Sequence, residues 1–257
     1  MKTARDLFDL SGRVALVTGG AGHIGSAIAE ALAEQGAKVI CLDLPGTWGP
    51  SESCITMGCD LSDVRQIGLV AKAVQGDYRR LDILVNCAAY LPGPEVAGFD
   101  APLSEQRLEP WRRSFEVNLT AAFALIQACA PMLAATRHGS VINVASIYGM
   151  VGPDLGLYEG TGMGCAAAYA ASKGGLLQLT RHLATVLAPW VRVNAITPGG
   201  VARGQDTGFA ARYCARTPLG RMATEEDLIG AAVYLASDAS AYVTGHNLVV
   251  DGGWTAW

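Results

Sequence analysis

A chain of 257 residues, 51% hydrophobic and only 16% charged, can bury a large core and is long enough for one or two domains. A formal charge of −4 argues against a nucleic-acid-binding surface, and no linker, charge run or internal repeat divides the chain. Apolar runs break at Gly, Pro or charge short of bilayer length, and the start from Met1 to Asp9 has no signal-like apolar core. The seven cysteines form no CxxC pair and the four histidines are scattered, so the expectation is reduced thiols in a cytoplasm, with no metal, membrane or nucleic-acid partner.

Val14 to Thr18 is an apolar run of strand length, and Gly19-Gly-Ala-Gly-His-Ile-Gly25 follows it at once. A helix is predicted from Ser26 to Gln35, with Ile24, Ile28, Ala31 and Leu32 at helical spacing. Strand, glycine-rich turn and helix in that order make Gly20-x-Gly22-x-x-Gly25 a dinucleotide-binding signal. Glycine lets backbone approach a pyrophosphate, and the helix N-terminus offers free N–H groups and a positive dipole end. Gly19, Gly22, His23, Ile24 and Gly25 are the candidate contacts there.

Lys38 to Asp43 predicts a second strand, ending in a carboxylate 18 residues after Gly25. Such an acid accepts hydrogen bonds from the adenosine ribose and repels a 2′-phosphate. No Lys or Arg lies between Gly19 and Gly25, so NAD is expected and NADP is less favoured. Further along, Ile55 to Asp60 is a weak strand, Ser62 is expected to cap a helix reaching Tyr78, and Leu81 to Asn86 is a strong strand. Pro110 to Leu133 predicts a long helix, Ser140 to Ala145 a strand, Ala167 to Leu187 a helix and Val191 to Ile196 a strand. Glu225 to Ser237 predicts a helix and Asn247 to Val250 the last strand. Repeated βα units imply an α/β fold with a doubly wound, mostly parallel, Rossmann-like sheet, formed by residues 1–257 as one domain. Ligands then bind outside the carboxyl ends of the strands, where Thr18, Asp43, Asp60, Asn86, Ser146 and Thr197 lie.

Tyr169 and Lys173 stand four apart in an Ala-rich run, which puts both on one helical face. A free phenol ionises near pH ~10; a fixed positive charge nearby favours the phenolate and suits it to proton transfer in a carbonyl/alcohol interconversion. Between Ser146 and Tyr169, the stretch from Val151 to Gly164 carries five glycines in fourteen residues. It predicts a surface loop, within an insertion at about 150–166, at the substrate mouth. Tyr158, Glu159 and Thr161 are placed there to hydrogen-bond a polyhydroxylated substrate, and Arg203 and Arg212 to pair with an acidic group.

Taken in order, these motifs resemble the single-domain branch of the short-chain dehydrogenase/reductase family over nearly the whole chain. Ile142-Asn-Val-Ala-Ser146 resembles the family's serine segment, Tyr169 and Lys173 its Tyr-x-x-x-Lys pair, and Phe115-Glu-Val-Asn118 its Asn helix. Leu84-Val-Asn86-Cys-Ala88-Ala89 is similar to the segment on the adenosine side, Asp60-Leu61 to the pair near the adenine, and Thr197-Pro198-Gly199, with Val201 beyond it, to the loop beside the nicotinamide. The resemblance implies that Tyr169 exchanges the proton, Ser146 binds the reacting oxygen, Lys173 holds the nicotinamide ribose and Asn118 holds a water leading to solvent. It also places Tyr148 beside the substrate and implies a homotetramer. Four residues depart from the family pattern: His23 stands where a glycine is usual, Cys87 and Ala89 where an Asn and a Gly usually follow Asn86, and Arg203 where a Thr contacts the carboxamide. The expected activity is NAD-dependent interconversion of a secondary alcohol and a ketone or lactone by hydride transfer, on a sugar, sugar acid or polyol. The alternatives are an NADPH-dependent ketoreductase of acyl or xenobiotic carbonyls and a nucleotide-binding regulatory protein without catalysis.

Overall fold

The computed structural model describes residues 2–47, 49–51, 53–93 and 95–257. Seven strands form its sheet: β1 (Val14–Thr18), β2 (Lys38–Asp43), β3 (Cys54–Gly58), β4 (Ile83–Asn86), β5 (Gly139–Val144), β6 (Val191–Pro198) and β7 (Asn247–Val250). Their order is β3-β2-β1-β4-β5-β6-β7, and every neighbouring pair is parallel. β1, β4, β5 and nearly all of β6 are buried end to end, which is why they read as continuous apolar runs rather than alternating ones. The helices are α1 (Ala4–Phe8), α2 (His23–Glu34), α3 (Val64–Tyr78), α4 (Leu108–Phe115), α5 (Ala121–Ala135), α6 (Ala167–Val186), α7 (Thr207–Arg216) and α8 (Glu226–Ala236).

Strand side chains divide between two cores. Leu16, Ile40, Leu84 and Val193 pack with Ile67 and Val70 of α3, Leu125 and Leu133 of α5 and Leu183 of α6. Val17, Val39, Val85 and Ile196 pack on the other face with Ile28 and Leu32 of α2 and Leu235 of α8. The chain winds outward from β1 to β3, then returns to β4 and winds the other way. The carboxyl ends of β1 and β4 therefore diverge at the switch point, where such sheets open a crevice.

Element type follows the expectation at every predicted strand and helix, with ends displaced by a few residues. Asp63, not Ser62, caps α3: its carboxylate accepts from the Arg65 N–H, while the Ser62 hydroxyl turns back to Asp60. The long predicted helix runs from Leu108 to Ala135, but a π turn at Glu116–Thr120 interrupts its ladder. By length and composition that span is apolar enough to cross a bilayer, with a mean hydropathy of 1.6 in its best window. Here its apolar side chains from Ala121 to Leu133 pack under the sheet. Sequence reading missed α1, a five-residue helix with no buried residue, and α7, which follows a glycine-containing loop and is started by Asp206 accepting from the Gly208 and Phe209 N–H groups.

Candidate active site

A cavity of about 1010 Å³ opens at the switch point, against the carboxyl ends of the strands. Its first wall is the turn from Gly19 to Gly25. A Cβ at Gly25 would collide with the Gly19 carbonyl oxygen, so α2 can start close against β1 only with glycine there. No side chain caps α2, and Gly22, His23, Ile24 and Gly25 of its first turn line the cavity. The N–H groups that a helix start cannot satisfy internally are thus presented to an anion. His23 is the first residue of α2, where a side chain is accommodated; it points outward, with Nδ1 3.9 Å from Glu225.

Asp43 ends β2 at the cavity edge, fixed by the Ala21 N–H donating to Oδ2 (2.9 Å) and the Leu44 N–H donating to Oδ1 (2.8 Å). Asp60 and Leu61 lie farther along the same wall. The Ser62 hydroxyl and N–H both donate to Asp60 Oδ1 and hold its carboxyl below the usual range, while Arg113 stands 3.5 Å from Oδ2. Across the crevice, Thr18 Oγ1 accepts from the Cys87 and Ala88 N–H groups, locking the ends of β1 and β4 together. Ala88, Pro198, Gly199 and Val201 also line the cavity. These glycine, carboxylate and N–H groups fit a dinucleotide.

Ser146, Tyr169 and Lys173 line the same cavity. Ser146 follows β5 and starts a short turn, its Oγ accepting from the Tyr148 N–H at 3.2 Å. Lys173 is buried, and its Nζ donates to the Val144 carbonyl at 2.6 Å, 5.7 Å from the centre of the Tyr169 ring. Burial pushes Lys173 down to about 8. Tyr169 is pushed up by burial, with the Ser146 hydroxyl pulling the other way. The expectation that the lysine charge lowers the phenol is thus outweighed by desolvation, and the group that opposes desolvation is Ser146.

Two expected site residues stand behind the cavity wall rather than on it. Asn118 sits in the π turn, where the widened ladder frees its side chain: Oδ1 accepts from the Tyr90 N–H (2.7 Å) and Nδ2 donates to Ser172 Oγ (3.0 Å). Asn86 donates through Nδ2 to Asn143 Oδ1 (2.8 Å), and Asn143 donates to Thr180 Oγ1 (2.9 Å). Asn86 Oδ1 is buried without a partner. Both asparagines border a small internal void with Thr18, Leu61 and Val117. Neither lines the main cavity: Asn86, at a strand end, bonds sideways to the next strand, and Asn118 is turned to Tyr90 and Ser172.

On the substrate side, Tyr158 arrives on a short 3-10 turn (Leu155–Tyr158) of the glycine-rich insertion, and its hydroxyl pairs with that of Tyr148 at 2.6 Å. Tyr158 also packs on Phe209 of α7. Arg203 reaches the wall, yet its guanidinium is paired with Glu225. Arg212 is engaged as well: it donates to the Leu157 and Glu159 carbonyls and holds the insertion in place. Sequence reading missed Val96, Phe99, Met163, Tyr213 and Met222, all on the cavity wall. They lie in segments without periodicity, so only the helical and aromatic content of 207–216 offered a signal.

A family model described as enoyl-(acyl carrier protein) reductase matches residues 19–255. D-threitol dehydrogenase of Mycolicibacterium smegmatis is 35% identical, covering 96% of this chain and 95% of that protein. Among solved structures, a short-chain dehydrogenase from Leptospira borgpetersenii with bound NAD+ superposes with a TM-score of 0.86 at 33% identity, over 99% of this chain and 96% of that one. A gluconate 5-dehydrogenase from Burkholderia cenocepacia, in complex with NADP and tartrate, gives the same TM-score at 30% identity, over 99% and 100%. The chain belongs to the short-chain dehydrogenase/reductase family. It is a nicotinamide-dependent oxidoreductase that interconverts a CH–OH group and a carbonyl.

Proposed function

We propose that the enzyme oxidises a secondary alcohol of a polyol or sugar to the ketone, with NAD as the preferred coenzyme. The observation that carries this reading is the convergence of Ser146, Tyr169 and Lys173 on the cavity that Asp43 and the Gly19–Gly25 turn also border. When bound, the coenzyme supplies the hydride acceptor, or the donor in the reverse direction. Gly19, Gly22, His23, Ile24, Gly25, Asp60, Leu61, Ala88, Pro198, Gly199 and Val201 hold it, and Asp43 receives the adenosine ribose hydroxyls. Asp43 Oδ1 and Oδ2 are fixed by backbone donors, so a 2′-phosphate would meet an anchored negative charge. Tyr169 takes the alcohol proton, Ser146 hydrogen-bonds the same oxygen as charge develops on it, and Lys173 binds the nicotinamide ribose. Asn118 positions the Tyr169 helix through Ser172, whose hydroxyl donates to the Tyr169 carbonyl. Tyr148 and Tyr158 offer hydroxyls to the substrate.

Sugar-alcohol chemistry is supported by the D-threitol dehydrogenase relative, whereas the gluconate 5-dehydrogenase neighbour is named for a sugar acid and holds a dicarboxylate. A cytoplasmic homotetramer accompanies this reading. Exposed Leu108, Trp111 and Phe123 on the helix span before and after Asn118 support a contact surface there. Trp254, by contrast, is buried and stacks on Tyr213, leaving Trp257 as the exposed terminal aromatic. Reduced-coenzyme formation with NAD and with NADP, followed across sugars, sugar acids, polyols and steroids, tests the proposal. Turnover of a polyol or sugar with NAD favoured is the expected result; a strong NADP preference overturns the Asp43 argument, and turnover of steroids alone overturns the substrate class.

A further inference from the structure

The electrostatics of the substrate side narrow the substrate further, on the premise that the proposed carbohydrate chemistry holds. Among the described residues, four basic side chains border the cavity: His23, Arg113, Lys173 and Arg203. His23 lies at the glycine turn near Glu225, and Arg113 faces Asp60 at the far end of the coenzyme half. Lys173 is bound to the Val144 carbonyl behind Tyr169, and Arg203 is paired with Glu225. The guanidinium groups just outside the wall are engaged as well, Arg212 on the insertion's carbonyls and Arg216 on Asp154 at 2.9 Å.

The opposite charge is present and unpaired. Glu95 and Asp100 border the cavity, and neither forms an ion pair among the described residues. Close backbone packing ties their segment to the end of the glycine-rich insertion: a Cβ at Gly164 would strike the Asp100 carbonyl oxygen. That side of the cavity also carries the apolar Phe99, Met163, Phe209 and Met222, with the Tyr148–Tyr158 hydroxyl pair and the Gln205 amide as polar groups. A carboxylate entering here would lose water with no cation to replace it and would meet two like charges at the solvent-exposed rim of the cavity. A hydroxylated carbon chain would lay its C–H face on the rings and its hydroxyls on the two phenols.

We infer that the physiological substrate is an uncharged polyol or neutral sugar, and that sugar acids are excluded by charge. The test compares kcat/KM for tetritols and hexitols with that for aldonates of the same chain length and configuration, using NAD and the full-length protein at low and high salt. The neutral compound is expected to lead by about tenfold or more at low salt, the lead shrinking as salt screens the carboxylates. In the Glu95→Gln/Asp100→Asn double variant the ratio of neutral to acid is expected to narrow by about fivefold. Equal or higher kcat/KM for the acid, or a ratio unmoved by both salt and the double variant, overturns the inference while leaving the dehydrogenase reading intact. Turnover of neither class, with NAD still bound, overturns the carbohydrate reading and this inference with it.

Discussion

Ser146 and the pair Tyr169 and Lys173 come from two elements, the turn after β5 and helix α6, and their surroundings set their proton affinities in different directions. Burial raises Tyr169, and the hydroxyl of Ser146 lowers it by favouring the phenolate. Ser146→Ala is therefore expected to move the pH dependence of alcohol oxidation to higher pH as well as to lower kcat by about 100-fold or more; an unmoved profile would remove Ser146 from the proton-transfer step. Burial lowers Lys173 from 10.5 to about 8. Between those two values the unfolded chain still holds the proton that the folded protein has released, so stability rises with pH in that window. Below pH 8 the full penalty is present, on the order of 3 kcal/mol. Lys173→Met should then stabilise the enzyme without coenzyme at pH 7 by about 1–3 kcal/mol in denaturant unfolding while abolishing turnover, and the gain should shrink by pH 10. A variant less stable than the wild type at pH 7 would show that the Val144 hydrogen bond outweighs the burial of charge. The Tyr–Lys spacing was legible in the sequence. The opposition between burial and Ser146 was not, because it depends on neighbours 23 or more positions away in the chain.

Helix α6 carries the proposed catalytic pair, yet its N-cap residue, Ala166, has no side chain able to cap it. Gln106 supplies the missing group from another segment: its Oε1 accepts from the Ala167 N–H (3.2 Å), and its Nε2 donates to the Cys165 and Ala101 carbonyls (3.2 and 2.9 Å). One amide thus ties the loop before α4, the end of the glycine-rich insertion and the start of the Tyr169 helix. Gln106→Ala should cost about 1 kcal/mol of stability, in the range of a lost helix cap, and lower kcat with little change in the KM for NAD. Gln106→Glu, which keeps the acceptor for the Ala167 N–H, should recover part of kcat; equal losses in both variants would contradict the capping role. Nothing at sequence level linked residue 106 to residue 167, whereas periodicity made α2, α3, α6 and α8 legible. The π turn was hidden for a related reason. Residues from Glu116 to Thr120 suit an α-helix locally, and the widened turn goes with tertiary bonds from Asn118 to Tyr90 and Ser172.

The whole molecule is organised around the reversal between β1 and β4, and the glycine turn, Asp43 and the Ser/Tyr/Lys set were legible because they occupy strand ends or helix starts. The apolar substrate wall was not, since Phe99, Met163 and Met222 come from irregular segments gathered only by folding. Coenzyme should stabilise the fold by linkage, adding about 2.7 kcal/mol at a hundredfold excess over Kd. NAD should therefore raise the thermal midpoint more than NADP at equal concentration, and Asp43→Ala should reduce or reverse that difference; a larger shift with NADP in the wild type would contradict the role given to Asp43. A tetramer is expected by light scattering, and a monomer at micromolar protein would remove the association expected through the Leu108–Phe123 face. The proposed meeting of the Tyr169 phenol and the Ser146 hydroxyl on one reacting oxygen, with Lys173 on the nicotinamide ribose, is tested most directly by the steady-state rate of NADH formation from a polyol in Tyr169→Phe, with NAD binding verified in the same sample. A fall in kcat of about 1,000-fold with coenzyme affinity retained is predicted. A variant that keeps wild-type kcat would contradict it.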